Sequence, residues 1–178
     1  REKAIRWFDT YAQLNSNNDR EQGIRSRFLL LMLSYDLYGQ DLDAVARALN
    51  FERLFITGWH WLQNGMLFFE KIVIEKDVAP IAVVDQLKRA EDEDWYNLLR
   101  ATWSKADSAS RYKNEILDRY LNEWRYVSPI SDGNTLKELG LKPGPIFKSI
   151  LTQLLEEKLN GSLVTQEDEI AYIKGLIQ

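Results

Sequence analysis

Apolar residues recur at three- and four-residue spacing along almost the whole chain, a period that suits helices and not strands. Ala4, Phe8, Tyr11 and Ala12 share one face of an expected first helix, and Ile24, Phe28, Leu31 and Tyr35 mark a second. Asp41 is a candidate N-cap for a third, Leu42 to Leu49. Asn50 is placed to cap a fourth, running from Glu52 into the 70s, in which Gly58 and Gly65 are candidate breaks or kinks. Pro80 fits the first turn of a fifth, carrying Val83, Val84 and Leu87. Asp92 or Asp94 opens a sixth, with Trp95, Leu98, Leu99 and Trp103. Ser108 or Ser110 caps a seventh, with Ile116, Leu117, Tyr120, Leu121 and Trp124, and two or three short helices follow Pro129. No sustained two-residue alternation is present; Ile72-Val73-Ile74 is β-prone but continues a helical pattern. The expected fold is therefore all-α, without a sheet. A body of short amphipathic helices spans 1–126 and a small helical tail spans 130–178, with the boundary near Pro129 and Gly133.

Composition narrows the chemistry. A chain of 178 residues, 45% apolar and 28% charged, can bury a core without covalent staples. It has no cysteine, which excludes disulfides, thiolate zinc sites and cysteine nucleophiles. His60 is the single histidine, so a histidine metal cage or triad is not expected; it reads as a packed or surface residue. A net charge of −4 argues against binding nucleic acid by bulk charge, but not against a local basic track. The longest apolar run, Phe28 to Leu33, is far too short to span a bilayer, and no signal peptide is visible, so a cytoplasmic protein without membrane contact is expected. The chain opens on Arg1 within an amphipathic segment and reads as a piece of a longer polypeptide.

The most specific stretch runs from Ser131 to Ile146, SDGNTLKELGLKPGPI, followed by Ile150, Leu151, Leu154 and Leu155 on an apolar face with Ile146. It encodes a short helix, a tight turn and a longer helix. Gly140 suits the left-handed conformation that ends the first helix. Pro143 and Pro145 prevent its continuation, and Pro145 suits the first turn of the next. Gly144 leaves room for another backbone. The second helix would then present free amides and a positive dipole end beside Lys142, a phosphate-sized site built mostly of backbone.

The run Gly133, Leu136, Gly140, Leu141, Lys142, Pro143, Gly144 and Pro145, then Ile150-Leu151, Leu159, Gly161 and a closing helix after Thr165, resembles the C-terminal end of class II tRNA nucleotidyltransferases (CCA-adding enzymes) and bacterial poly(A) polymerases. The likeness is close over roughly the last fifty residues and much less specific upstream. It implies a transferase that adds nucleotides from ATP, with CTP left open, to the 3′ end of tRNA or another RNA, using Mg2+ in a catalytic domain upstream in the same polypeptide. It also implies that this part of the protein holds RNA and carries no catalytic residue, metal or cofactor. The candidate RNA-backbone residues are Gly140, Leu141, Lys142, Pro143, Gly144 and Pro145. Arg111, Arg119 and Arg125, with Lys113, are candidate phosphate contacts further upstream.

The family's catalytic signatures are missing. The Asp-x-Asp run Asp41-Leu42-Asp43 opens a helical run with no strand or glycine turn before it, and reads as helix capping. Glu91-Asp92-Glu93-Asp94 lacks the arginine that a nucleotide-selecting neck motif needs, since Trp95 and Asn97 stand in both registers, and reads as the solvated start of a helix. The alternative functions are a stand-alone helical nucleic-acid-binding module and a dimerisation module of a multidomain protein. Most tryptophans sit at core spacing, which favours packing over base stacking.

Overall fold

The computed structural model describes residues 44, 45, 47, 48, 53–76, 78–90, 94–103 and 107–177. Every regular element among them is helical: α1 (Arg53–Glu75), α2 (Pro80–Leu87), α3 (Asp94–Ala101), α4 (Ser108–Asn122), a 3-10 turn (Trp124–Tyr126), α5 (Gly133–Glu138), α6 (Pro145–Leu159) and α7 (Gln166–Leu176). The all-α reading therefore holds across the described residues. The expected first and second helices, Asp41, Asn50 and the acidic positions 91–93 lie outside them.

Several boundaries differ from the sequence reading. Gly58 and Gly65 do not break α1, which runs on through both. Ala101 ends α3, so Trp103 is buried just beyond the helix, its ring centre 4.7 Å from that of Phe69 and tilted 55° to it. The cap of α4 is Asp107, not Ser108 or Ser110: its carboxylate accepts from the Ser110 amide at 2.6 Å, which satisfies one of the donors a helix start leaves open. Trp124 belongs to the 3-10 turn after α4. Lys76 ends α1 with a left-handed φ of 53° while its amide still donates to the Ile72 carbonyl.

Contacts divide the described residues into two compact units, one drawn from 1–77 and 86–115, the other from 78–85 and 116–178. In the first, Trp59, Trp61, Leu62, Phe69, Trp95, Leu98 and Leu99 form a buried aromatic and aliphatic core between α1 and α3. Trp61 donates to the Gln86 carbonyl and Tyr96 to the Leu87 carbonyl, so these large rings are buried without losing their polar partners. In the second, the stretch from Ser131 onward has its own core: Leu136 of α5, Ile150 and Leu154 of α6 and Ile173 of α7, with Leu139, Leu141, Phe147, Leu151, Leu163 and Tyr172 packed around it. Each fully buried aliphatic side chain there is worth about 1.5–3 kcal/mol relative to exposure. Phe147, not Ile146, opens the inward stripe of α6; Ile146 is 52% exposed. The inward positions run 147, 150, 151 and 154, so Ile150, Leu151 and Leu154 lie on the expected face and its first member differs.

Candidate nucleic-acid interface

The turn between α5 and α6 is built by two opposed end signals. At its start, Leu139 is the C-cap of α5 and Gly140 follows with φ of 87°. The Gly140 amide donates to the Lys137 carbonyl at 2.9 Å and the Leu141 amide to the Leu136 carbonyl at 3.1 Å. These are the paired bonds of a Schellman ending, completed by Leu141 packing on the cluster that contains Leu136. The same device ends α6, where Gly161 has φ of 78° and the Gly161 and Ser162 amides return to the Lys158 and Glu157 carbonyls.

At the end of the turn, Gly144 is the N-cap of α6 and Pro145 its first residue. Gly144 is extended, a conformation open to any residue, and a side chain there would meet only the Lys142 carbonyl oxygen at 3.9 Å. The fold itself does not demand glycine at 144. Gly140, Lys142, Pro143, Gly144 and Pro145 are exposed, and Leu141 is half-buried with its side chain turned to the core.

The three helix starts of this region differ in charge. Asp132 caps α5 in a reciprocal capping box with Thr135, accepting from the Asn134 and Thr135 amides. The Thr135 amide, then the Asn134 amide, hold its carboxyl below the usual range. Thr165 caps α7 in a second box with Asp168, and Glu167, Asp168 and Glu169 fill that first turn. The amide and hydroxyl of Thr165, then the Val164 amide, lower Asp168 in turn. Helix α6 has neither a side-chain cap nor an acid in its first turn, which carries Lys148. Lys142 precedes it, whereas Glu156 and Glu157 sit near its far end. Burial, then the negative charge of Glu157 and Glu156, pushes the Tyr172 phenol up. The first turn of α6, with Lys148 and no acid, runs against the helix dipole, whereas its last turn carries Lys158 beside Glu156 and Glu157.

The upstream arginines are exposed but not alike. Arg111 and Arg119 lie on α4 and Arg125 in the 3-10 turn. The Arg119 guanidinium sits 4.7 Å from the Trp124 ring centre, and that of Arg125 sits 5.0 Å from the Tyr126 ring centre. Lys113 is corrected by the structure: it is buried and paired with Glu70, so it does not face a partner. Trp59, Trp61, Trp95, Trp103 and Trp124 are all buried, which removes them as stacking platforms.

One group of consequence escaped the sequence reading. Glu169 is fully buried on α7, and its carboxylate accepts from the Ile130 amide at 2.9 Å, the Ser131 amide at 2.6 Å and the Lys158 ammonium at 2.8 Å. It ties the segment entering α5, the end of α6 and the start of α7 into one junction. Among the described residues no group of three His, Cys, Asp or Glu is arranged to hold a metal ion, and no helix is long and apolar enough to cross a membrane.

Comparison with known proteins adds a relationship. No family model and no solved structure matches the chain. An A-adding tRNA nucleotidyltransferase of Halalkalibacterium halodurans is 31% identical over 67 residues, which are 38% of this chain and 16% of that protein. An A-adding tRNA nucleotidyltransferase of Geobacter sulfurreducens is also 31% identical over 67 residues, covering 38% of this chain and 7% of that protein. The match thus spans less than a fifth of either relative. Over that stretch the chain is similar to class II tRNA nucleotidyltransferases.

Proposed function

We propose that this chain holds the RNA substrate for a nucleotidyltransferase that extends tRNA 3′ ends, with the Mg2+-dependent transfer of nucleotides from ATP carried out by a catalytic domain elsewhere in the polypeptide. The similarity over 67 residues to two A-adding enzymes carries the reading. The start of α6 supports it: a helix start without a side-chain cap or an acid, beside Lys142 and Lys148, is where an anion is favoured, and Gly144 leaves the approach open. The contact is one of backbone and shape, the usual mode for duplex RNA.

The test is the affinity of the 178-residue chain for a tRNA lacking its 3′ end, measured across a salt series. Lys142→Glu is expected to weaken binding by about 1–3 kcal/mol and to flatten the salt dependence by roughly one counterion. Gly144→Val is expected to weaken binding further by blocking approach. Its effect on stability should stay near 1 kcal/mol, the loss of a favourable N-cap residue. Melting temperature measured beside affinity separates the two effects. Unchanged affinity for both variants at every salt concentration would reduce the turn to a packing corner.

The chain by itself should not catalyse. Its Asp41-Leu42-Asp43 run precedes residues 44, 45, 47 and 48, which are helical, Asp94 of its Asp92-Glu93-Asp94 run opens α3, and no nucleotide-selecting motif is present in the sequence. Without positioned metal ions, phosphoryl transfer loses its main electrostatic stabilisation. Incubation with labelled ATP or CTP, Mg2+ and a tRNA lacking its 3′ end should give no incorporation. Sustained Mg2+-dependent incorporation would refute this.

A further inference from the structure

Tyr126 is the one exposed aromatic side chain among the described residues, at 68% accessibility, and nothing in the fold uses its ring as core. It is nevertheless held firmly. It closes a 3-10 turn in which its amide donates to the Glu123 carbonyl at 3.2 Å, and the Val127 amide donates to the Trp124 carbonyl at 3.1 Å. Trp124, two residues earlier, is buried and anchors the turn. The guanidinium of Arg125 stands 5.0 Å from the Tyr126 ring centre. A ring carried on a hydrogen-bonded turn, with a cation against it and most of its surface in solvent, has the chemistry of a nucleobase platform: an aromatic face for stacking and positive charge beside it. The one acid in the turn's immediate sequence, Glu123, precedes both buried Trp124 and the ring.

We infer that Tyr126, backed by Arg125, stacks on an unpaired nucleotide of the bound RNA. The inference rests on the RNA-holding reading above and deepens it, because it assigns this chain a contact with a single-stranded nucleotide in addition to duplex backbone. Duplex bases are already stacked on each other, so an exposed ring can take only a base that has left the helix or lies beyond its end.

The test uses the 178-residue chain with three RNAs: a blunt hairpin, the same hairpin with a single-stranded 3′ extension, and that extension with one abasic position moved along it. Tyr126→Ala should weaken binding of the extended hairpin by roughly tenfold and leave the blunt hairpin nearly unchanged, the loss expected for one base stacked on an aromatic ring. Tyr126→Trp should retain or raise the affinity. An abasic site at the stacked position should erase the difference between wild type and Tyr126→Ala. A hairpin with an enlarged unpaired loop and no extension distinguishes a loop base from a 3′-end base. Equal binding by wild type and Tyr126→Ala on every RNA would overturn the inference while leaving the duplex-holding role intact; no binding to any RNA by wild type would overturn both. If Tyr126→Ala instead abolished self-association in sedimentation without changing RNA affinity, the ring would belong to a protein contact and the inference would fail.

Discussion

Glu169→Gln should be among the most destabilising single-atom exchanges available in this protein, costing about 3 kcal/mol. The substitution preserves shape. It leaves the Lys158 ammonium, whose side chain is only 13% exposed, without its counter-charge, and it turns an amide group toward donors that need acceptors. Removing one member of a buried pair costs about 3–5 kcal/mol, and the partial access at Lys158 places this junction at the lower end. For a domain of this size that is a fall in melting temperature of roughly 6–12 °C. Lys158→Met should cost less, because the carboxylate keeps both backbone donors. The pH dependence gives a second reading. Burial raises the Glu169 carboxyl, but the Lys158 ammonium and the Ile130 and Ser131 amides outweigh it and leave it below its ordinary value of 4.5. A depressed carboxylate contributes stability that is present above the unfolded value and is lost as pH falls through the folded one. Wild type should therefore lose stability progressively below about pH 4.5, and Glu169→Gln should lose less over that window. Asp132 and Asp168, also lowered, keep the remaining acid limb in the variant. Thermal melts of both proteins from pH 7 to pH 3 decide it. Parallel curves would show that Glu169 is not the buried, ionised group of the junction.

What could be read from sequence follows from how local each signal is. Capping and turn residues act within a few positions, so Gly140 in the left-handed conformation, Pro145 at the head of α6 and the whole succession of helices from 53 onward were legible. Periodicity placed Ile150, Leu151 and Leu154 in the buried stripe of α6 but not its first member: Ile146 and Phe147 are both apolar, and the choice between them is made by packing against α5 near Gly133. The Lys113 pair and the Glu169 junction were not legible. Their partners lie 43 residues and up to 39 residues away, and an acidic residue in the first turn of a helix normally reads as a solvated dipole partner. Asp168, one position earlier, is such a residue; Glu169 differs because the turn of the helix points it inward. The turn between α5 and α6 was legible as a shape. What it touches is not encoded locally; the start of α6, without a side-chain cap or an acid and with Lys148 in its first turn, is a charge pattern that its own dipole does not favour.

The same substitution made seven residues apart on α1 should have opposite effects. Alanine is favoured over glycine inside a helix by about 1 kcal/mol, so propensity alone predicts that Gly58→Ala and Gly65→Ala both stabilise. Packing against α3 divides them. A Cβ on Gly58 would lie 2.1 Å from the Cε2 and Cζ2 atoms of Trp95 and 2.6 Å from its Nε1. Trp95 is itself buried, so the indole has nowhere to retreat, and relief requires the two helices to separate. Overpacking of this kind costs about 1–3 kcal/mol and sometimes more, which exceeds the propensity gain. A Cβ on Gly65 would meet only the Leu99 methyls at 3.4 Å, close to ordinary contact. Gly65→Ala should therefore be neutral or stabilising by up to about 1 kcal/mol, and Gly58→Ala should lower the denaturation midpoint clearly. Trp95→Phe removes the atoms that collide, so Gly58→Ala should cost much less in that background than in wild type. Such a cycle reports the contact itself rather than the helix. If Gly58→Ala costs the same whether residue 95 is Trp or Phe, the glycine serves the backbone of α1 and the close approach of α3 is not its reason.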